Sequence, residues 1–155
     1  MSGTSTTATV RFASRLLDAG PHTAQHTVLP LTSDEHVVAL RRLVREVALS
    51  LKLSLVDQTK LVTAASELAR NTIKYGGGGE AHVVELDDGF RRGVLLVFAD
   101  DGPGIADVDL ALTDGYTTGG GLGLGLSGAR RLVDEFDIDT RAGEGTAVAI
   151  AKWKR

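Results

Sequence analysis

Glu67-Leu68-Ala69-Arg70-Asn71-Thr72-Ile73-Lys74-Tyr75, running into glycines at 76 to 79, is the stretch on which the fold turns. Leu61, Ala65, Leu68 and Thr72 recur at intervals of four, three and four residues, so the segment is predicted to be a helix with one buried stripe. Ser54 followed by Asp57 is a capping pattern that opens it, and the glycine run closes it. Glu67 and Asn71 are one turn apart and share a face. An amide oxygen is a hard, neutral ligand suited to Mg²⁺, and a carboxylate one turn away suits a general base for an attacking hydroxyl. Taken alone, the pair reads equally as two solvated polar residues on an amphipathic helix.

Outward from this helix, the pattern is that of a sheet backed by helices. Upstream, His26 to Leu31 reads as a short strand, and Thr32-Ser33-Asp34-Glu35 as a capping box. Val37, Leu40, Val44, Val47 and Leu51 then recur at helical spacing opposite Arg41, Arg42 and Arg45. Those arginines face an acidic partner or simply solvent. Downstream, Ala81 to Leu86 and Gly93 to Ala99 read as a hairpin turned at Asp87-Asp88-Gly89. Nine of the 19 glycines fall between 102 and 128, so a mobile loop is expected there. A helix from about Gly125 to Glu135 follows, then strands at Phe136 to Arg141 and Thr146 to Trp153 around a Gly143-Glu144-Gly145 turn.

At 155 residues the chain suits a single domain, expected over 26–155, with residues 1–25, rich in Ser, Thr and Ala, as a disordered tail. A net charge of −3 supplies no basic face for nucleic acid. The absence of cysteine excludes disulfides and thiolate metal sites, and His22, His26, His36 and His82 show no ligand spacing. With no secretory pattern and no apolar run near the ~20 residues of a membrane span, a cytoplasmic location is expected, without membrane partners.

Three further glycine-bearing boxes follow the Glu67–Tyr75 string in order: Asp100-Asp101-Gly102-Pro103-Gly104, Gly119 to Gly125, and Gly143-Glu144-Gly145-Thr146. Each is weak alone, since Asp-Gly-Pro-Gly is also an ordinary turn. As an ordered set they resemble the nucleotide site of the GHKL ATPase and kinase superfamily over roughly residues 26–155. More narrowly, Glu67-Leu-Ala-Arg-Asn71 and the Ile150-Ala-Lys-Trp153 ending resemble the anti-sigma regulatory serine/threonine kinases of the RsbT type.

The resemblance implies an α+β fold: a two-layer α/β sandwich of the Bergerat type, with helices on one face of a mixed, mostly antiparallel sheet. It implies ATP and Mg²⁺ as cofactors, with Glu67 as catalytic base and Asn71 as metal ligand. Asp100 would accept from the adenine amino group, Gly102 and Gly104 would leave room for the ring, and Thr146 would place a hydroxyl near it. Gly121, Leu122, Gly123, Leu124 and Gly125 would form a lid over the phosphates, with a hydroxyl from Thr118 and a charge from Lys74. Lys74 also suits a helix C-terminus on its own account. Arg70 has both a phosphate-contacting and a plain surface reading, and Asp101 has no assigned role.

Gly123-Leu-Gly-Leu-Ser-Gly128 matches the dinucleotide fingerprint by letters, but no strand precedes it, and no Walker sequence occurs. Three functions fit the resemblance. One is a kinase that phosphorylates a small STAS-domain antagonist and, when released, engages a regulatory phosphatase. Another is an ATP-dependent anti-sigma factor that sequesters a sigma factor. The third is a non-catalytic partner-switch module. Glu67 favours transfer, because binding alone needs no base.

Overall fold

The computed structural model describes residues 26–113 and 125–155. Along the chain come β1 (His26–Leu31), α1 (Asp34–Ser50), α2 (Leu55–Lys74), β2 (Gly79–Asp87) and β3 (Arg92–Asp100). After these come α3 (Val108–Ala111), α4 (Gly125–Arg131), β4 (Glu135–Arg141) and β5 (Gly145–Trp153). The five strands form one sheet in the order β1-β2-β3-β5-β4. Every pairing is antiparallel, so the sheet expected as mixed has no parallel pair among the described residues.

The near-continuous apolar runs of β3 and β5 occupy the middle of the sheet, where both faces of a strand are covered. Leu96, Phe98, Val148 and Ile150 point to the helical side and meet Leu40, Val44, Leu61 and Leu68 in the main core. The alternate residues, among them Val84, Val97, Ala149 and Trp153, form a second buried cluster on the opposite face. Packing α1 against α2, and α2 against α4 and the sheet, gives the helical layer. The α+β two-layer architecture is therefore as expected.

The α2 helix starts as read: the Ser54 hydroxyl accepts from Asp57 N at 3.1 Å. The start of α1 differs. Ser33 is its N-cap but makes no side-chain capping bond, so Glu35 lies one position early for a capping box. His36 takes that role instead, its Nδ1 accepting from Thr32 N at 3.0 Å. The helix expected to reach Glu135 ends at Arg131, because Glu135 is already paired with Ala151 in the sheet and Asp134 N donates to Ala151 O. Within the glycine-rich segment read as loop, Asp107 caps the short α3, accepting from Leu110 N at 3.0 Å. The tail expected over 1–25 lies outside the described residues.

Candidate functional site

The last two turns of α2 form one wall of a cavity of about 740 Å³, a volume typical of small-molecule sites. Glu67, Asn71 and Lys74 all line it, as do Arg70 and Tyr75. Asp100, where β3 ends, and Thr146, where β5 begins, are paired across the sheet and line the cavity together. Leu68, Phe98, Ile105 and Val148 give it apolar sides suited to a flat ring. The segment from Pro103 to Ala111 and the start of α4 at Gly125 and Leu126 complete it.

Asp100 is 7% exposed, and its Oδ1 accepts from Gly102 N at 2.8 Å. Burial raises the pKa of this carboxyl above its ordinary value, the Gly102 N–H pulls it back, the Asp101 charge raises it further, and the Thr146 N–H lowers it. Room for this carboxylate depends on a missing side chain: a Cβ at Gly76 would stand 2.3 Å from Asp100 Cγ. Gly104, at φ +77°, carries the chain against β4, where a Cβ would come within 2.3 Å of Arg141 O. Gly102 is not itself a lining residue but serves the site through that N–H.

On the wall, Glu67 is 17% exposed, and its carboxylate lies 3.8 Å from the guanidinium of Arg70. Arg70 is 55% exposed, and a pair of this kind contributes little. Lys74 is exposed, with its Nζ 5.2 Å from the centre of the Tyr75 ring. Among the described residues no three His, Cys, Asp or Glu side chains gather to hold a metal. A divalent ion here would have the Asn71 amide as its protein ligand and would take its other oxygens from phosphates and water. Magnesium tolerates such a set, so the residues present fit it.

Of the remaining expected residues, Gly125 lines the cavity, at the start of α4. Thr118, Gly121, Leu122, Gly123 and Leu124 lie outside the described residues. The sequence reading passed over Tyr75, Gly76, Ile105 and Leu110, all of which line the cavity. For Ile105 and Leu110 the available signal was the Asp107 capping pattern, which turns the chain back over the site. Thr140 was missed as well. Its hydroxyl accepts from Ile105 N at 2.9 Å and lies 2.8 Å from Thr146 Oγ1, and no local pattern marks it.

An antiparallel sheet with helices on one face, a buried strand-end aspartate among glycines and a Glu/Asn helical wall define a nucleotide-binding ATPase domain. The chain belongs to the family of histidine kinase-, DNA gyrase B- and HSP90-like ATPases, whose model matches residues 56–155. It is 44% identical over 119 residues to the serine/threonine-protein kinase RsbT of Bacillus subtilis (strain 168), covering 77% of this chain and 90% of that protein. It is also 31% identical over 99 residues to the anti-sigma F factor of Clostridium novyi (strain NT), covering 61% of this chain and 69% of that protein. The fold matches the crystal structure of the RsbU and RsbW domains of a Mycobacterium tuberculosis protein with a TM-score of 0.57 at 20% identity. That match covers 84% of this chain and 32% of the other, so the chain spans about a third of that structure.

Proposed function

We propose that the protein is an ATP-dependent serine/threonine-protein kinase of a partner-switching regulatory system, transferring the γ-phosphate of ATP to a small STAS-domain antagonist. The observation that carries this is the placement of Glu67 and Asn71 on one helical wall of the cavity whose far end holds buried Asp100. The likeness to a serine/threonine-protein kinase over most of both chains supports it.

In this proposal Asp100 accepts from the adenine amino group, while Leu68, Phe98 and Val148 sandwich the ring and exclude water. Asn71 holds Mg²⁺, which supplies charge neutralisation to the phosphates when bound. Glu67 takes the proton of the incoming serine or threonine hydroxyl as its oxygen bonds to the γ-phosphorus and the bond to the β-phosphate oxygen breaks, leaving ADP. Arg70, on the same wall and exposed, faces the side from which a protein substrate enters. Thr118 and the 121–125 lid belong to the phosphate side of the proposal.

The experiment is mass spectrometry and ATP-dependent labelling of a co-purified antagonist. Asn71→Ala is expected to abolish magnesium-dependent ATP binding, and Glu67→Ala to keep binding and lose transfer. Equal transfer by Glu67→Ala and the parent would remove the base. The 31% identity to an anti-sigma F factor favours a second reading, sequestration of a sigma factor. An unmodified sigma subunit as sole partner would establish that reading. A regulatory phosphatase recovered with the protein after its release from the antagonist would add that step.

A further inference from the structure

Among the described residues, the second face of the sheet is buried with no layer over it. Its cluster consists of strand residues alone, while the helices pack with the cluster on the other face. Val84, Val97, Ala99 and Ala147 are nevertheless at most 1% exposed. Along β5 the side chains on this face are Ala147, Ala149 and Ala151, and they form the floor of a trough. Leu95 and Val97 stand in register on one side of it, and Glu135, Asp137 and Asp139 on the other. An alanine reaches only one carbon from the backbone, so these residues cannot shield one another from water, and their burial requires something over them.

Position, length and charge choose the occupant. Among the described residues β1 is an edge strand, and its first residue, His26, is the cross-strand partner of Val84 in the covered cluster. The chain before His26 therefore starts beside that face. Twenty-five residues precede it, enough for about 80 Å of extended chain, against about 19 Å across the sheet from β1 to β4. Val10, Phe12, Leu16 and Leu17 are bulky and apolar, and Arg11 and Arg15 outnumber the single acid, Asp18. We propose that residues 1–25, expected from composition to be a disordered tail, are this chain's own cover for the second face, seating Phe12 and Leu16 over the alanine trough with Arg11 and Arg15 toward the acidic row of β4. Left bare, an apolar face of this breadth invites association, so the segment occupies a docking surface that a second copy or another protein would otherwise take. The inference is independent of the nucleotide reading.

The chain has no cysteine, so Ala149→Cys places one thiol in the trough, and its reaction with a soluble disulfide reagent reads the cover in the full chain. With no other change, the thiol should be protected at every protein concentration. Phe12→Asp with Leu16→Asp should speed its reaction by at least about tenfold, with helix and strand content intact by circular dichroism. Arg11→Glu with Arg15→Glu should speed it as well. Adding Asp137→Arg with Asp139→Arg should then restore protection, a rescue that general unfolding would not give, and failure of that rescue would overturn the seat against β4. Protection that fades on dilution and ignores the changes in residues 1–25 would give the face to a second copy and overturn the proposal. So would a thiol that reacts freely without those changes, or one protected equally in every variant.

Discussion

At the scale of single residues, the cavity sets one carboxylate where water cannot reach it freely. That group is Asp100, whose carboxyl titrates above the ordinary value mainly through burial. A carboxyl raised in the fold binds protons more readily folded than unfolded, so its contribution to stability declines as pH rises through that window. Asp100→Asn should therefore raise the melting temperature of the nucleotide-free protein at pH 7 while weakening ATP at least tenfold, read by calorimetry and thermal melts. His82 works with the opposite sign. Burial lowers its pKa below the ordinary 6.5, against the raising effect of Glu80 and with a smaller lowering effect from His26. The unfolded chain then takes up the proton first, so stability present above about pH 6.5 is lost on acidification below it. Urea midpoints should fall from pH 7 to pH 5.5, and His82→Leu should flatten that slope.

At the scale of elements, α2 does two jobs. Its first turn is pinned by the Ser54 cap, and its last two turns form the Glu67–Lys74 wall. Ser54→Ala should cost about 1 kcal/mol by denaturant unfolding, with little change in nucleotide affinity because the cap lies at the far end of the helix. Past the other end, Gly76→Ala should act on the site instead. The added carbon would fall on the Asp100 carboxylate, so ATP binding is expected to drop at least tenfold in a folded protein, monitored by circular dichroism beside the titration. The helix itself was legible because Leu61, Ala65, Leu68 and Thr72 keep the helical period and all are buried. The end of α4 was not, because what stops it is pairing of Glu135 with Ala151, a strand that comes later in the chain.

Across the whole molecule, a buried charge network at the opposite end from the cavity fastens the last strand to the helical layer. Lys152 is 3% exposed, with Nζ 3.4 Å from both Asp57 at the start of α2 and Asp134 before β4. Asp134 also accepts from Trp153 N at 2.8 Å. Removing one partner leaves a buried cation under-compensated, so Asp134→Ala is expected to cost about 3 kcal/mol in equilibrium unfolding. The site should survive in the folded fraction, since Thr146 lies at the other end of β5. In the sequence Lys152 was visible only as part of an Ile-Ala-Lys-Trp ending, with nothing to say that it would be buried.

The sequence by itself determined the five strands, the helices other than α3, their order and the Glu67/Asn71 pair, because helical period, strand alternation and glycine punctuation act over a few residues and are written locally. Ordered glycine boxes carried the family, and the family model and the 44% identity agree with them. Only the tertiary structure decided that every strand pairing among the described residues is antiparallel, that His36 rather than Glu35 finishes the start of α1, and that Asp100, Thr146 and Thr140 meet. The physical reason is distance along the chain. Asp100 and Thr146 become neighbours only when β3 pairs with β5, and Thr140 reaches Ile105 across 35 residues, contacts that no local pattern encodes.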